Sequence, residues 1–304
     1  MKTILLYYKY TDVEFPAQQV KRQKELCDGL GLKGRIIIAT EGINGTLAGS
    51  QEACNEYIEH MNAHELFNGI DFKISQCEGE PFPRMRVVEK EEITRMGKSP
   101  QEISYKDTGT HLTPQQAHEL IATNKDLLIL DGRNNYEAAI GRFENAIVPD
   151  IENFRDFPDY IDKNQDLFKD KEVFMYCTGG IRCERASAYL KSKKVAKAVY
   201  QVTGGIDRYA LAYPDGYFRG KNYVFDGRIA VPVNNDVLST CVLCEQAADD
   251  YYNCVYAGCN KQIIICPPCV KEHNATCSQK CEQTILNNPD TMRKVPHKTA
   301  HPAL

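Results

Sequence analysis

Three apolar runs constrain the fold of this 304-residue chain more than any other feature. "LLILD" (127–131), "VFMYC" (173–177) and "AVYQV" (198–202) are each five residues long and almost wholly apolar. Between and around them lie stretches with helical spacing: "LTPQQAHELIATN", "RCERASAYLKSKK" and "GGIDRYALAY". The first has Thr113 as N-cap and Pro114 at the first helical position. Apolar strands too short to alternate, interleaved with helices, predict a parallel sheet covered on both faces. "YEAAIG" reads as a further short helix and "NAIVPD" as a strand after it.

The segment before this region reads β-α-β-β-α-β. "TILLYY" and "GRIIIAT" are strand-like, "INGTLAG" is a short strand, and "DFKIS" and "RMRVVEKEEI" supply the last strand material. "FPAQQVKRQKELCDGLGL" has helical spacing and ends at Gly29 and Gly31, and Ser50 is an N-cap for "QEACNEYIEHMNAHELF". That order predicts a ferredoxin-like split βαβ sandwich. The resulting fold class is mixed α/β and α+β, in three parts and a linker. These are a ferredoxin-like domain at 1–95, a polar linker at 96–112, a parallel-sheet α/β domain at 113–217, and a cysteine-rich segment at 218–304. In the last, "NYVFDGRIAVPV" reads as a hairpin with Asp226-Gly227 as a two-residue turn.

"CTGGIRCE" follows the buried run at 173–177 and precedes a helix. In open α/β sheets the carboxyl end of such a strand is where ligands bind. Gly179 and Gly180 let successive backbone N–H groups of the loop Cys177, Thr178, Gly179, Gly180, Ile181 turn inward on one anion, and Arg182 adds a full positive charge at the helix start. Together they favour a thiolate at Cys177, the candidate nucleophile, against the plainer reading of a structural cysteine at a strand end. Cys183 reads as a small packing residue or as a resolving thiol. Asp131 and Arg133, at the end of the preceding strand, are candidates to pair and shape the crevice. Glu184 and Arg185 read as a surface pair or as part of its rim.

Eight of the thirteen cysteines lie in the pattern Cys241-x2-Cys244, Cys254-x4-Cys259, Cys266-x2-Cys269 and Cys277-x3-Cys281. Two C-x2-C knuckles are a strong metal signal, and eight thiolates fit two tetrahedral Zn²⁺ sites of a structural kind. Interleaved and sequential pairings both satisfy the spacing, and His273 could replace one ligand. Free or disulfide-bonded cysteines are the alternative, and no motif demands an iron–sulfur cluster. No stretch reads as a nucleotide-cofactor motif. So many cysteines, with a start that reads as a β-strand rather than a signal peptide, point to the cytoplasm, and no run is long enough for a membrane span.

The net charge is −4, so any contact with nucleic acid must use a local patch. "KSKKVAK" (191–197) and "RKVPHKTAH" (293–301) are basic candidates, unless both are ordinary solvated surface. The open sheet of a ferredoxin-like domain is another, with Tyr7, Tyr8 and Tyr10 available to stack on bases or to pack in the core. "EGING" (41–45) reads as a turn or as a loop offering backbone amides.

"LLILDGRNNYEAAIGRFENAI", "VFMYCTGGIRCERASAYL" and "QVTGGIDRYA" resemble the signatures of a rhodanese domain. Its loop, Cys177 to Arg182, has four intervening residues, which in that superfamily goes with sulfur rather than phosphate. With "GRIIIATEGINGTLAG" and "GKNYVFDGRI", the chain closely resembles the rhodanese-related tRNA uridine hydroxylases over nearly its whole length. The resemblance implies tRNA as partner and 5-hydroxyuridine at the wobble position as product. It implies molecular oxygen as co-substrate, and Cys177 as a catalytic cysteine passing through a persulfide charged by a sulfur donor. The alternatives are a plain sulfurtransferase and a catalytically silent rhodanese adaptor. Oligomeric state is not legible.

Overall fold

The computed structural model describes residues 1–293, so most of the basic stretch 293–301 lies outside the described residues. The chain forms two compact units, Met1–Asn135 with Asn145–Tyr213, and Tyr136–Glu144 with the residues from Pro214 on.

The first unit opens with β1 (Lys2–Tyr10), α1 (Pro16–Gly29), β2 (Lys33–Ala39), β3 (Gly42–Gly49), α2 (Gln51–Ala63), β4 (Lys73–Cys77) and β5 (Met85–Glu89). The sheet order is β4-β1-β3-β2-β5. The pairs β1–β3, β1–β4 and β2–β3 are antiparallel, and β5 adds to β2 in parallel. This is the ferredoxin-like arrangement with a fifth strand. Period-2 alternation sends Leu5, Tyr7, Ile36, Ile38 and Leu47 into one core beneath α1 and α2, where Tyr57 and Met61 meet them. Tyr7 is therefore a core residue, hydrogen-bonded to Tyr57. Ser50 caps α2 by accepting from the Ala53 N–H at 3.1 Å, a contact of about 1 kcal/mol.

The unit continues with β6 (Thr110–Leu112), α3 (Pro114–Thr123), β7 (Leu128–Asp131) and the start of α4 (Asn135–Ala139). After β8 (Gly141–Phe143) come α5 (Phe157–Lys163), α6 (Gln165–Phe168), β9 (Glu172–Tyr176), α7 (Ile181–Ser192), β10 (Ala198–Val202) and α8 (Gly205–Ala212). The sheet is parallel throughout, in the order β6-β10-β9-β7. Thr113 and Gln116 form a reciprocal capping box at α3, with Pro114 behind it. Two local expectations change here. "NAIVPD" makes only an isolated bridge, Ile147 to Leu130, and the strand after α4 is β8. Thr110–Leu112, within the stretch expected to be linker, forms edge strand β6, and Met96 is wholly buried in the parallel-sheet core.

In the second unit β8 joins β11 (Phe218–Tyr223) and β12 (Ala230–Pro232) in a sheet of order β12-β11-β8. The expected hairpin is present, but its loop is longer than two residues: Tyr223 pairs with Ala230. Asp226 turns its carboxylate back on Arg228, accepting from Nε at 2.8 Å and Nη2 at 2.6 Å, and Ile229 takes φ +63°. Then follow β13 (Tyr251–Asn253), β14 (Gln262–Ile264), α9 (Pro267–Glu272) and α10 (Gln279–Asn287). No helix among the described residues is long and apolar enough to cross a membrane.

Candidate active site

Cys177 follows directly on β9, and Gly180 is the residue before α7. Gly180 has φ +100°, which a side chain would resist, and its N–H donates to Cys177 Sγ at 3.2 Å. Behind the loop, the first turn of α8 ties it down: the N–H of Ile206 donates to the Cys177 carbonyl at 3.0 Å and that of Asp207 to the Thr178 carbonyl at 3.1 Å. Gly205 has φ +66°, and a Cβ there would lie 2.5 Å from the Cys177 carbonyl oxygen and 2.6 Å from that of Thr178. Gly205→Ala is therefore expected to cost more than about 1 kcal/mol in stability, from backbone strain and from displacement of the loop. Urea unfolding checks the first effect, and a slower alkylation of Cys177 checks the second.

Arg182 is buried, with Nη2 donating to Thr178 Oγ1 at 3.4 Å. Cys177 is fully buried, which alone would push its thiol up. The Cys183 thiol donating to its sulfur, the Arg182 charge and the N–H groups of Cys183 and Arg182 outweigh burial and bring Cys177 down to about 6. Burial and the neighbouring Cys177 push Cys183 up, so one thiol is held as the anion and the other as its donor. Cys183 thus both packs in the core and faces the loop. Ile181 is half-buried, and its carbonyl accepts from Tyr10 Oη at 3.3 Å. Asp131 and Arg133 form a fully buried pair, with Nε to Oδ1 at 2.9 Å and Nη2 to Oδ2 at 2.7 Å. Asp131 also accepts from Tyr176 Oη at 2.7 Å, which braces β7 against the residue preceding Cys177.

The ferredoxin-like domain completes this site, which the sequence did not signal. A methyl group at Gly180 would lie 2.8 Å from Tyr8 Oη, and one at Gly179 would lie 3.5 Å from Leu6 Cδ2 and 3.9 Å from Lys73 Cε. Lys73 Nζ stands 5.3 Å from the centre of the Tyr8 ring. Burial pulls Lys73 down, and Asp71, Asp207 and Cys177 oppose that pull. Glu184 is not a surface residue paired with Arg185. It accepts from Tyr8 Oη at 3.2 Å and Gln201 Nε2 at 3.1 Å, and lies 3.0 Å from His111 Nε2. Arg185 is wholly buried, bonded to Glu92 at 2.6 Å and the Lys98 carbonyl at 2.5 Å, with Glu41 at 3.5 Å. Glu41 opens "EGING", so this turn supplies a buried carboxylate that helps fasten α7.

In the second unit the eight cysteines gather into two groups, Cys241, Cys244, Cys266, Cys269 and Cys254, Cys259, Cys277, Cys281, the sulfurs of each lying within 4.8 Å of one another. The pairing is interleaved. Zn–S bonds of about 2.3 Å in a tetrahedron place sulfurs about 3.8 Å apart. The Cys244–Cys266, Cys259–Cys277 and Cys277–Cys281 separations are each 3.6 Å, so both groups fit a four-coordinate metal ion. His273 is not in either group and faces Glu282 at 3.3 Å.

A parallel sheet ending in a Cys-x4-Arg loop at a helix start, beside a ferredoxin-like domain, defines a rhodanese-like protein with two appended parts. Family profiles agree: "UPF0176 acylphosphatase like domain" matches residues 2–93, "Rhodanese-like domain" residues 113–212 and "Rhodanase C-terminal" residues 219–282. A tRNA uridine(34) hydroxylase of Cytophaga hutchinsonii is 41% identical over 92% of this chain and 89% of its own length. One of Corynebacterium urealyticum is 41% identical over 91% and 96%. A rhodanese-like domain protein of Staphylococcus aureus, of known structure, aligns at 24% identity over 33% of this chain and 90% of its own, with a TM-score of 0.28. The chain belongs to the tRNA uridine(34) hydroxylase family.

Proposed function

We propose that this protein is a cytoplasmic tRNA-modifying enzyme that hydroxylates wobble uridine 34 at C5, with molecular oxygen as co-substrate, an external two-electron donor reducing the second oxygen atom to water, and Cys177 as its essential thiol. The observation that carries the assignment of Cys177 is its loop. A thiol held near pKa 6 by Arg182, Cys183 and inward N–H groups is anionic at neutral pH, in a family defined over nearly the whole chain. In the first half of the cycle the Cys177 thiolate attacks the outer sulfur of a sulfane donor. With thiosulfate, a new S–S bond forms at Cys177, the donor's S–S bond breaks and sulfite leaves with the electron pair. Arg182 and the loop amides hold the resulting anionic persulfide. Asp131 and Arg133 position the crevice through Tyr176.

The oxygen assignment is tested by incubating purified protein with a tRNA that carries uridine 34 under ¹⁸O₂. Label in 5-hydroxyuridine is expected, and label arising instead from H₂¹⁸O would exclude oxygen as the source. The size of the loop also suits a plain sulfurtransferase. Persulfide on Cys177 with no change in tRNA nucleosides would select that reading.

Arg182→Ala removes one of the influences that lower the Cys177 thiol. The midpoint of iodoacetamide alkylation against pH is therefore expected to rise from about 6 toward the ordinary thiol range, with the fold retained. Below that midpoint the variant reacts more slowly than the native protein, and at high pH the two converge. Lys at this position restores the charge but not the planar fork, so recovery is partial.

We propose further that each cysteine group holds a structural Zn²⁺. The ion would link segments that have little core of their own and leave no coordination site open for chemistry.

A further inference from the structure

We propose that the sheet face turned away from α1 and α2 is the RNA-binding surface, with Lys73, Arg35 and Arg86 contacting backbone phosphates along a row that leads to Cys177. This rests on the tRNA reading above and adds to it the surface.

The row follows from strand register. Lys73 pairs with Leu6, Leu6 with Thr46, Thr46 with Arg35 and Arg35 with Arg86. Directly paired residues share a face, so three cations cross the sheet in one line, roughly 19 Å from Lys73 to Arg86 at ordinary strand spacing. The opposite face carries the apolar core, and none of the residues that pairing places on this one is acidic. Arg35 and Arg86 are immediate neighbours on parallel strands, and like charges in that position oppose folding. Burial and the Arg86 charge accordingly pull Arg35 below its usual range. A polyanion laid across the row would meet both guanidinium groups at once.

The row also has a direction. Lys73, largely buried and with its Nζ 3.8 Å from Asp71 Oδ2, sits at the end nearest the active loop, with its Cε beside Gly179 and its Nζ over Tyr8. A strand held from Arg86 toward Lys73 is thereby aimed at the loop that carries Cys177. In the other described basic stretch three lysines are engaged with neighbouring groups. Lys191 donates to the Thr108 carbonyl at 2.7 Å, Lys193 pairs with Asp162 at 2.6 Å and Lys197 with Glu172 at 3.3 Å. An acidic protein overall needs a local patch for RNA, and this face supplies one adjoining the catalytic loop.

The test is binding of an unmodified tRNA transcript to the full-length protein across a potassium chloride series. Arg35→Gln with Arg86→Gln is expected to weaken binding about tenfold at low salt and to lower the slope of log affinity against log salt by about one for each arginine removed. The alkylation profile of Cys177 should stay unchanged, because strand register puts both residues at the end of the row away from Lys73 and the loop. Arg35→Lys with Arg86→Lys, which keeps the charge, should stay near the native slope, and Lys194→Gln should change nothing. A folded double-Gln variant with native affinity and slope overturns the proposal while leaving the hydroxylase reading intact. Failure of the native protein to bind tRNA at all counts against both. Polyglutamate that displaces tRNA at matched charge would give the face to an acidic protein and also overturn the proposal.

Discussion

Cys177→Ser is expected to abolish 5-hydroxyuridine formation while leaving the protein folded. The serine oxygen nearly matches the sulfur in shape and can still accept from the Gly180 N–H, so the stability change is expected to be about 1 kcal/mol or less. Its chemistry differs far more. An alcohol stays protonated where this thiol, at about 6, is ionised, and oxygen cannot carry the persulfide. Activity is therefore expected to fall to background, with an unchanged urea midpoint as the control. Cys183→Ser should do less, because it keeps a donor beside the Cys177 sulfur. A Cys177→Ser protein that is both folded and fully active would remove the thiol from the reaction.

Loss of metal is expected to have the next largest effect, and to be confined at first to the cysteine-rich region. Metal analysis should find two zinc ions per chain, and Cys241→Ser or Cys266→Ser should remove one of them. Structural zinc contributes apparent binding energies of about 10–16 kcal/mol, which is folding energy for a segment with so little core. The interleaving sharpens the expectation. The chain crosses between the groups three times, so opening the first group frees the ends of the loop that holds Cys254 and Cys259. Limited proteolysis of Cys241→Ser should cut across 241–281, while the alkylation midpoint of Cys177 stays at its native value. A metal-free protein with a protease-resistant tail would contradict the zinc assignment.

The parts of the site that lie close together in sequence were legible there. An apolar run, a Gly-Gly turn and an arginine at a helix start specify a strand–loop–helix by local rules, and the structure has that arrangement from β9 through α7. The cysteine knuckles announced two metal-sized groups, but not their interleaving, because spacing alone allows both pairings. Contacts between distant residues left no local trace. Tyr8 meets Glu184 across 176 positions, and Arg185 meets Glu92 across 93. Period-2 alternation in β1 separates Tyr7 from Tyr8 and Tyr10, but it does not say that the second face would cover a cysteine loop. The Asp226-Gly227 turn failed for a different reason. Asp226 spends its carboxylate on the following Arg228 and the chain closes across six residues, between Tyr223 and Ala230, where a two-residue turn would use two, with Ile229 rather than a glycine at positive φ. Likewise "NAIVPD" has strand composition but finds only one bridging partner, at Leu130.

The most direct measurement is nucleoside mass spectrometry of bulk tRNA from cells lacking this gene, complemented with either the native protein or Cys177→Ser. The account predicts that 5-hydroxyuridine and the nucleosides built on it return with the native protein and stay absent with the serine variant. Equal restoration by both proteins, in cells with no second route to the modification, would contradict it.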